Sequence, residues 1–183
     1  MRKLIAKHQI KEYWGGQQDL FLDLVEIITG QQLSIKVAKS IFDRFLALYP
    51  KTSTPGDVLT TSDEKLRRIG LSGSKVKYVK NIAEAISSGA LPLNQLEKLS
   101  DDEVKKELLK IKGIGPWSAE MFLIFSLKRP DVFSVGDLGL RTAIEKLYGI
   151  KRDNLKKIEK LAADWRPHRS LACRYLWASL EKI

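Results

Sequence analysis

Residues 108–141 read LLKIKGIGPWSAEMFLIFSLKRPDVFSVGDLGLR, and the fold class turns on this stretch. Lys112-Gly113-Ile114-Gly115 is too short for a loop and carries two glycines where a tight turn needs positive φ or close backbone approach. Pro116 suits the first position of a helix, where its missing N–H costs nothing. The helix it opens, Trp117 to Leu127, is apolar nearly all round, which predicts a place in the middle of a domain. Upstream, Ser100 with Glu103 three residues later reads as a capping box that starts a helix through about Leu109. The unit is therefore helix, glycine hairpin, helix. Amides of such a hairpin, followed by a helix N-terminus, form a partly positive concavity suited to a phosphate oxygen.

Composition narrows the partner. Lys plus Arg exceed Asp plus Glu by 32 − 22 = 10 and the pI is near 9.6, so an acidic partner is expected. Aromatics are scattered among the bases and no segment is a basic amphipathic stripe, which favours nucleic acid over a membrane surface. No apolar run approaches the roughly 20 residues of a membrane span, and Met1 to Ile10 lacks a signal-peptide core, so the expectation is an intracellular protein. Cys173 is the only cysteine, which excludes an internal disulfide and a cysteine-bound cluster. It shares a helix with Leu176 and Leu180 and reads as core. His8 and His168 lack metal-ligand spacing.

At 183 residues the chain holds one substantial core or two joined lobes. Its start, through Gly15 and Gly16, carries Tyr13 and Trp14 but little periodicity. Leu20, Leu24, Ile27 and Ile28 are helical in spacing and close at Gly30. Gln31-Gln32-Leu33 turns into a helix capped by Ser34, with Val37, Ile41, Phe45 and Leu48 on one face. Pro50 to Thr61 reads as a connection, and a short helix from about Ser62 ends at Gly70. Leu71 to Ser74 leads into a helix with Val76, Val79, Ala83 and Ile86, and Leu91-Pro92-Leu93 links it to the hairpin unit. After Arg129-Pro130 the chain is extended to Gly136; Asp137 starts a helix ended by Gly149. Two more helices follow, about Asp153 to Asp164 and Pro167 to Lys182, for about nine in all and no convincing strand pair.

By itself Asp137 reads as a helix cap, and Trp117 and Trp177 read either as core aromatics or as walls of a pocket. Arg141, Arg166 and Arg169 serve either phosphates or carboxylates. The order of motifs changes the weights. GIGPWSA, then VFSVGDLGLR with its aspartate 22 residues after the second hairpin glycine, GQQLS near the start and WRPHRSLACRYLW near the end together resemble the helix-hairpin-helix superfamily of DNA glycosylases, and within it the 3-methyladenine DNA glycosylase II branch.

The resemblance implies an all-α, two-lobed helix-hairpin-helix DNA glycosylase fold with the active site in the interlobe cleft. Lobe one spans about 19–90; lobe two joins about 1–18 to 91–183 and contains the hairpin 111–115. The chain begins close to its first motif, so the β-rich N-terminal domain of some members is expected to be absent. Asp137 becomes the catalytic carboxylate, and Trp117, Met121 and Trp177 become the walls of the base pocket. Members that also cut the backbone carry a lysine nucleophile where this chain has Trp117, so the resemblance implies a monofunctional enzyme. Related enzymes often place an aromatic where this chain has Met121. Gly113, Ile114 and Gly115 would hold a backbone phosphate, Gln32 or Leu33 would fill the gap left by an extruded base, and the loop at Ser72 would touch the groove opposite. A structural Na+ or K+ on the main-chain carbonyls of Leu109, Ile111 and Ile114 is implied, but no required cofactor and no iron–sulfur cluster. The implied partner is double-stranded DNA containing damaged bases, met by a monomer with no membrane association.

Overall fold

The structure, a computed structural model, describes residues 1–8, 10, 19–49 and 53–180. Tyr13, Trp14, Gly15, Gly16, Pro50 and Lys182 lie outside the described residues. The helices are α1 Arg2–Lys7, α2 Leu20–Gly30, α3 Ile35–Ala47, α4 Pro55–Thr60, α5 Asp63–Arg68, α6 Gly73–Ser87, α7 Leu93–Leu96, α8 Asp101–Leu109 and α9 Pro116–Met121. A π-helical segment, Phe122–Ser126, precedes α10 Leu138–Tyr148, α11 Leu155–Ala163 and α12 Arg169–Ala178. Among the described residues there is no strand, so the all-α expectation holds.

Three helices exceed the expected count. One is α1. The second is α4, inside a stretch whose Thr, Pro and Gly read as a connection. Thr54 caps it in a reciprocal box with Asp57, and Pro55 takes the first position, so the same residues start a helix there. The third is the single turn α7. The apolar helix expected over Trp117 to Leu127 also divides. Regular α-geometry ends at Met121, and a widened turn carries the chain to Ser126. Lys128 then adopts φ +54°, and the Arg129 amide donates back to the Leu123 carbonyl at 2.9 Å, a left-handed stop built without glycine.

The chain divides into two compact units, Gly16–Phe122 and Met1–Gly15 with Leu123–Ile183. In the first, α6 packs on α2, α4 and α5, and α2 also packs on α3 and α9. Phe21, Leu24, Val25 and Ile28 of α2 and Val76, Val79 and Ile82 of α6 are buried, each contributing roughly 1.5–3 kcal/mol for a large side chain removed from water. Val37 does not share the buried face of Ile41 and Phe45; it is 47% exposed. The hairpin belongs to this unit, whereas the sequence reading joins it to the C-terminal helices. The difference has a cause in side chains: Gln31, Tyr78 and Asn81 all reach the hairpin from helices or turns of residues 16–122.

In the other unit α12 packs on α10 and α1. Its core is Leu4, Leu140, Ala143, Ile144, Ile158, Cys173 and Leu176, with Phe133, Tyr148 and Trp165 packed against it. Cys173 is fully buried there, as its helical spacing predicts. The N-terminal ammonium of Met1 donates to the Tyr148 hydroxyl at 2.7 Å.

Candidate functional site

Asp137 caps α10: the Leu140 amide donates to its Oδ1 at 2.7 Å. The same oxygen accepts the indole N–H of Trp177 at 2.9 Å. One carboxylate oxygen is thus fixed by a helix amide and an indole, a geometry that sets the group's direction. The cap reading and the functional reading are therefore not alternatives, because one oxygen does the capping and the carboxylate keeps its place beside an aromatic wall. The Trp177 ring stacks on Phe125 with centroids 5.6 Å apart and planes 27° from parallel. Phe125 comes from the π-helical segment. Gly139 makes the indole's approach possible: a Cβ there would stand 3.1 Å from Asp137 Oδ1 and 3.2 Å from Trp177 Cδ1.

Residues 129–136 form no ladder; several of their hydrogen bonds go to the first turn of α12. The buried Ser170 hydroxyl donates to the Arg129 carbonyl at 2.6 Å and accepts from the Val132 amide at 2.9 Å, while the Ser170 amide donates to Pro130 O at 3.0 Å. Arg169 adds a fork, its Nε 2.7 Å and its Nη2 3.0 Å from the two oxygens of Asp131. These bonds, with the charges of Arg169 and of Arg166 nearby, hold the Asp131 carboxyl below the usual aspartate value, against the opposing effect of burial. Arg169 is thereby assigned to a carboxylate. The lacing fixes α12, which carries Trp177, against the segment that delivers Asp137.

The hairpin closes with the Ile114 amide donating to Ile111 O at 3.0 Å. Its two glycines differ. Gly113 has φ +114°, and a Cβ there would fall 2.3 Å from the Tyr78 ring. Both reasons for glycine apply at that one position. Gly115 has φ −100° as the N-cap of α9, and a Cβ there would meet nothing within 4 Å. The fold itself does not demand glycine at that point. Side chains hold the turn from behind: Asn81 Nδ2 donates to Lys112 O at 2.9 Å, and Gln31 Nε2 donates to Gly113 O at 3.0 Å and to Ser118 Oγ at 2.9 Å.

Gln31 also begins the turn in which Gln32 takes φ +58° and lies exposed with Leu33. Lys75 fastens that turn, its Nζ donating to Thr29 O at 2.8 Å and Gln31 O at 2.7 Å. Burial pushes the Lys75 ammonium below the ordinary lysine value. Ser72 caps α6, accepting from the Lys75 amide at 3.3 Å, so the loops at Gln32 and Ser72 share one anchor. Trp117 and Met121 both lie on α9, Trp117 partly buried and Met121 only 5% exposed. Leu109, Ile111 and Ile114 carry carbonyls at the hairpin, where the Ile111 oxygen already accepts the Ile114 amide.

Residues 25–168 match the family described as HhH-GPD superfamily base excision DNA repair protein. DNA-3-methyladenine glycosylase 1 of Schizosaccharomyces pombe is 35% identical over 165 residues, which cover 88% of this chain and 72% of that protein. The Bacillus subtilis protein YfjP is 31% identical over 169 residues, covering 86% of this chain and 58% of that protein. The chain thus spans a little over half of that relative's length. A solved structure of the Schizosaccharomyces pombe 3-methyladenine DNA glycosylase Mag1 with abasic DNA superposes with a TM-score of 0.90 at 32% identity, covering 97% of this chain and 89% of that one.

Proposed function

Because this chain belongs to the HhH-GPD superfamily of base excision DNA repair proteins, we propose that it is a monofunctional DNA glycosylase of the 3-methyladenine II branch. Its substrates are alkylated purines of the 3-methyladenine and 7-methylguanine type in double-stranded DNA. The observation that carries this reading is the Asp137 carboxylate, held by the Leu140 amide and the Trp177 indole beside a stacked Phe125.

The target nucleotide leaves the duplex, and Gln32 or Leu33 fills its place, offsetting a few kcal/mol of lost stacking. Scission of the N-glycosidic bond sends its electron pair to the base and leaves positive charge on the sugar. Asp137 stabilises that charge more than it stabilises the ground state. Water then bonds C1′ and gives up a proton, to Asp137 or to solvent, leaving an abasic site. An alkylpurine that is already cationic takes the pair and becomes neutral, so it needs no general acid. An electron-rich indole attracts such a base, a role that the family resemblance gives to Trp177, beside Asp137, and to Trp117. Trp117 cannot form the Schiff base that strand cleavage by β-elimination requires, so no AP lyase activity accompanies base release.

Gly113, Ile114 and Gly115 hold a backbone phosphate through amides, a contact that positions without reading sequence. Main-chain oxygens of Leu109, Ile111 and Ile114 suit a hard monovalent cation, and the Ile111 carbonyl keeps a second lone pair beyond the Ile114 amide. The protein works as an intracellular monomer, and no helix among the described residues is long and apolar enough to cross a membrane. Incubation with methylated duplex DNA tests the assignment. Free methylated purine without strand breaks is expected. Binding with no release across a panel of lesions, deaminated bases and ethenoadenine included, would instead make the chain a non-catalytic DNA-binding protein.

A further inference from the structure

Beside the hairpin lies a recess of about 300 Å³ lined by Lys77, Tyr78, Lys80, Asn81 and Lys112. Three ammonium groups on one small concavity repel each other unless something compensates. Lys80 is compensated, because Asp63 accepts its Nζ. Lys77 and Lys112 form no ion pair with a carboxylate among the described residues, and both are exposed. The floor between them is rigid: Asn81 Nδ2 holds the Lys112 carbonyl at 2.9 Å, and the Tyr78 ring lies directly beneath the Gly113 backbone. The backbone that carries Lys112 and the helix that carries Lys77 are thus fixed against each other, and the two lysines line one recess at the hairpin with no carboxylate paired to either among the described residues.

We propose that this recess binds a second backbone phosphate of the strand gripped by the hairpin, with Lys77 and Lys112 as the charge donors and Asn81 and Tyr78 as the frame that fixes their spacing. The proposal rests on the DNA-binding reading above and extends its footprint. The contact carries no base information; its effect is on affinity and on salt dependence.

The measurement is fluorescence anisotropy of a labelled duplex containing an abasic-site analogue, titrated with the full chain over a series of KCl concentrations. Loss of both lysines in Lys77→Gln/Lys112→Gln is expected to reduce the slope of log K against log salt by about 0.9, the change for the one phosphate contact removed. Lys77→Arg/Lys112→Arg, which keeps the charges, is expected to restore the slope. Circular dichroism of each variant checks that the hairpin unit is folded. In a parallel arm inorganic phosphate is titrated while the Lys112 and Asn81 amide resonances are followed. A slope unchanged in the Gln pair overturns the proposal, and if phosphate alone still saturates those amides the recess is a free-anion site. A wild-type chain that fails to bind any duplex overturns the proposed function as well, whereas wild-type binding with an unchanged slope in the variant overturns only this inference.

Discussion

The two units use their side chains in opposite ways. In Gly16–Phe122 the groups assigned to DNA are largely main-chain atoms of the hairpin, and the side chains of Gln31, Lys75, Tyr78 and Asn81 point inward to hold that backbone in place. In the unit containing Leu123–Ile183 the main chain is the support, laced by Ser170 and Arg169, and the catalytic role is proposed for one side chain, Asp137. A surface made of backbone is insensitive to what is exposed and sensitive to what lies beneath it. A site made of one carboxylate is sensitive to that residue and to anything that shifts it by tenths of an ångström. The units should therefore fail differently: the first in stability and affinity, the second in rate at unchanged affinity.

The sharpest way to break this contrast is Asp137→Asn. The amide oxygen keeps the cap on α10 and an acceptor for the Trp177 indole, but the charge is gone. Single-turnover release of methylated purine should fall by about a thousandfold or more, with duplex affinity near that of the wild type. Retained activity would remove the catalytic assignment and leave only a cap. Next in size is Gly113→Ala in the other unit. Its methyl group meets the Tyr78 ring, and the residue must keep a positive φ, at a combined cost of about 3 kcal/mol. For a chain of this size that lowers Tm by roughly 10 °C. Gly115→Ala is the control: Tm should change by no more than about 2 °C, because nothing lies within 4 Å of the new Cβ. Its DNA affinity should still drop roughly tenfold, since the methyl stands where a strand approaches the amides. Equal stability losses at the two glycines would contradict the proposed division between fold and ligand.

A smaller effect separates rate from stability within the Asp137 unit. Gly139→Ala places a methyl 3.1 Å from the carboxylate and 3.2 Å from the indole, so one of them must yield. Alanine also suits a helix better than glycine. Base release should slow about threefold to tenfold while Tm stays level or rises, a split that a purely structural glycine would not produce. Thermal melts and single-turnover rates on the same preparation decide it.

What the sequence reveals here is local chemistry. Ser34, Ser100 and Asp137 read as caps and are caps in the structure, because a cap depends on a side chain and amides two or three residues on. The hairpin is visible for the same reason. What stays hidden depends on distant partners. Gln31 sits beside the residue expected to enter the DNA, yet its side chain acts 82 and 87 residues away, on Gly113 and Ser118. Phe125 looks like any other position of an apolar helix until the widened turn sets it against Trp177. Gly139 reads as an ordinary helical glycine, and its purpose emerges only when the indole 38 positions later lies against it. The missed α4 is a different failure: Thr, Pro and Gly mark turns and helix starts alike, and periodicity over six residues cannot separate them.

Arg169 provides the smallest and most specific test, because its pairing was undecided from sequence and the structure settles it on Asp131. Asp131 has its folded-state pKa depressed, first by the Arg169 hydrogen bond. A depressed carboxylate contributes stability that is fully present above its unfolded value of about 3.9 and is lost as pH falls through the lower folded value. In Arg169→Gln the contribution should shrink, costing under about 1 kcal/mol at neutral pH because the pair is partly solvated. The difference in unfolding free energy between wild type and variant should narrow as the pH drops below about 4, where the wild type protonates Asp131 too. Base release should change by less than about twofold, since the Ser170 bonds to Arg129, Pro130 and Val132 still hold α12 in register. A stability gap that stays constant down to pH 2, measured by urea titration, would mean that Arg169 acts through packing of its stem, and the fork to Asp131 would then be incidental to how this unit supports its carboxylate.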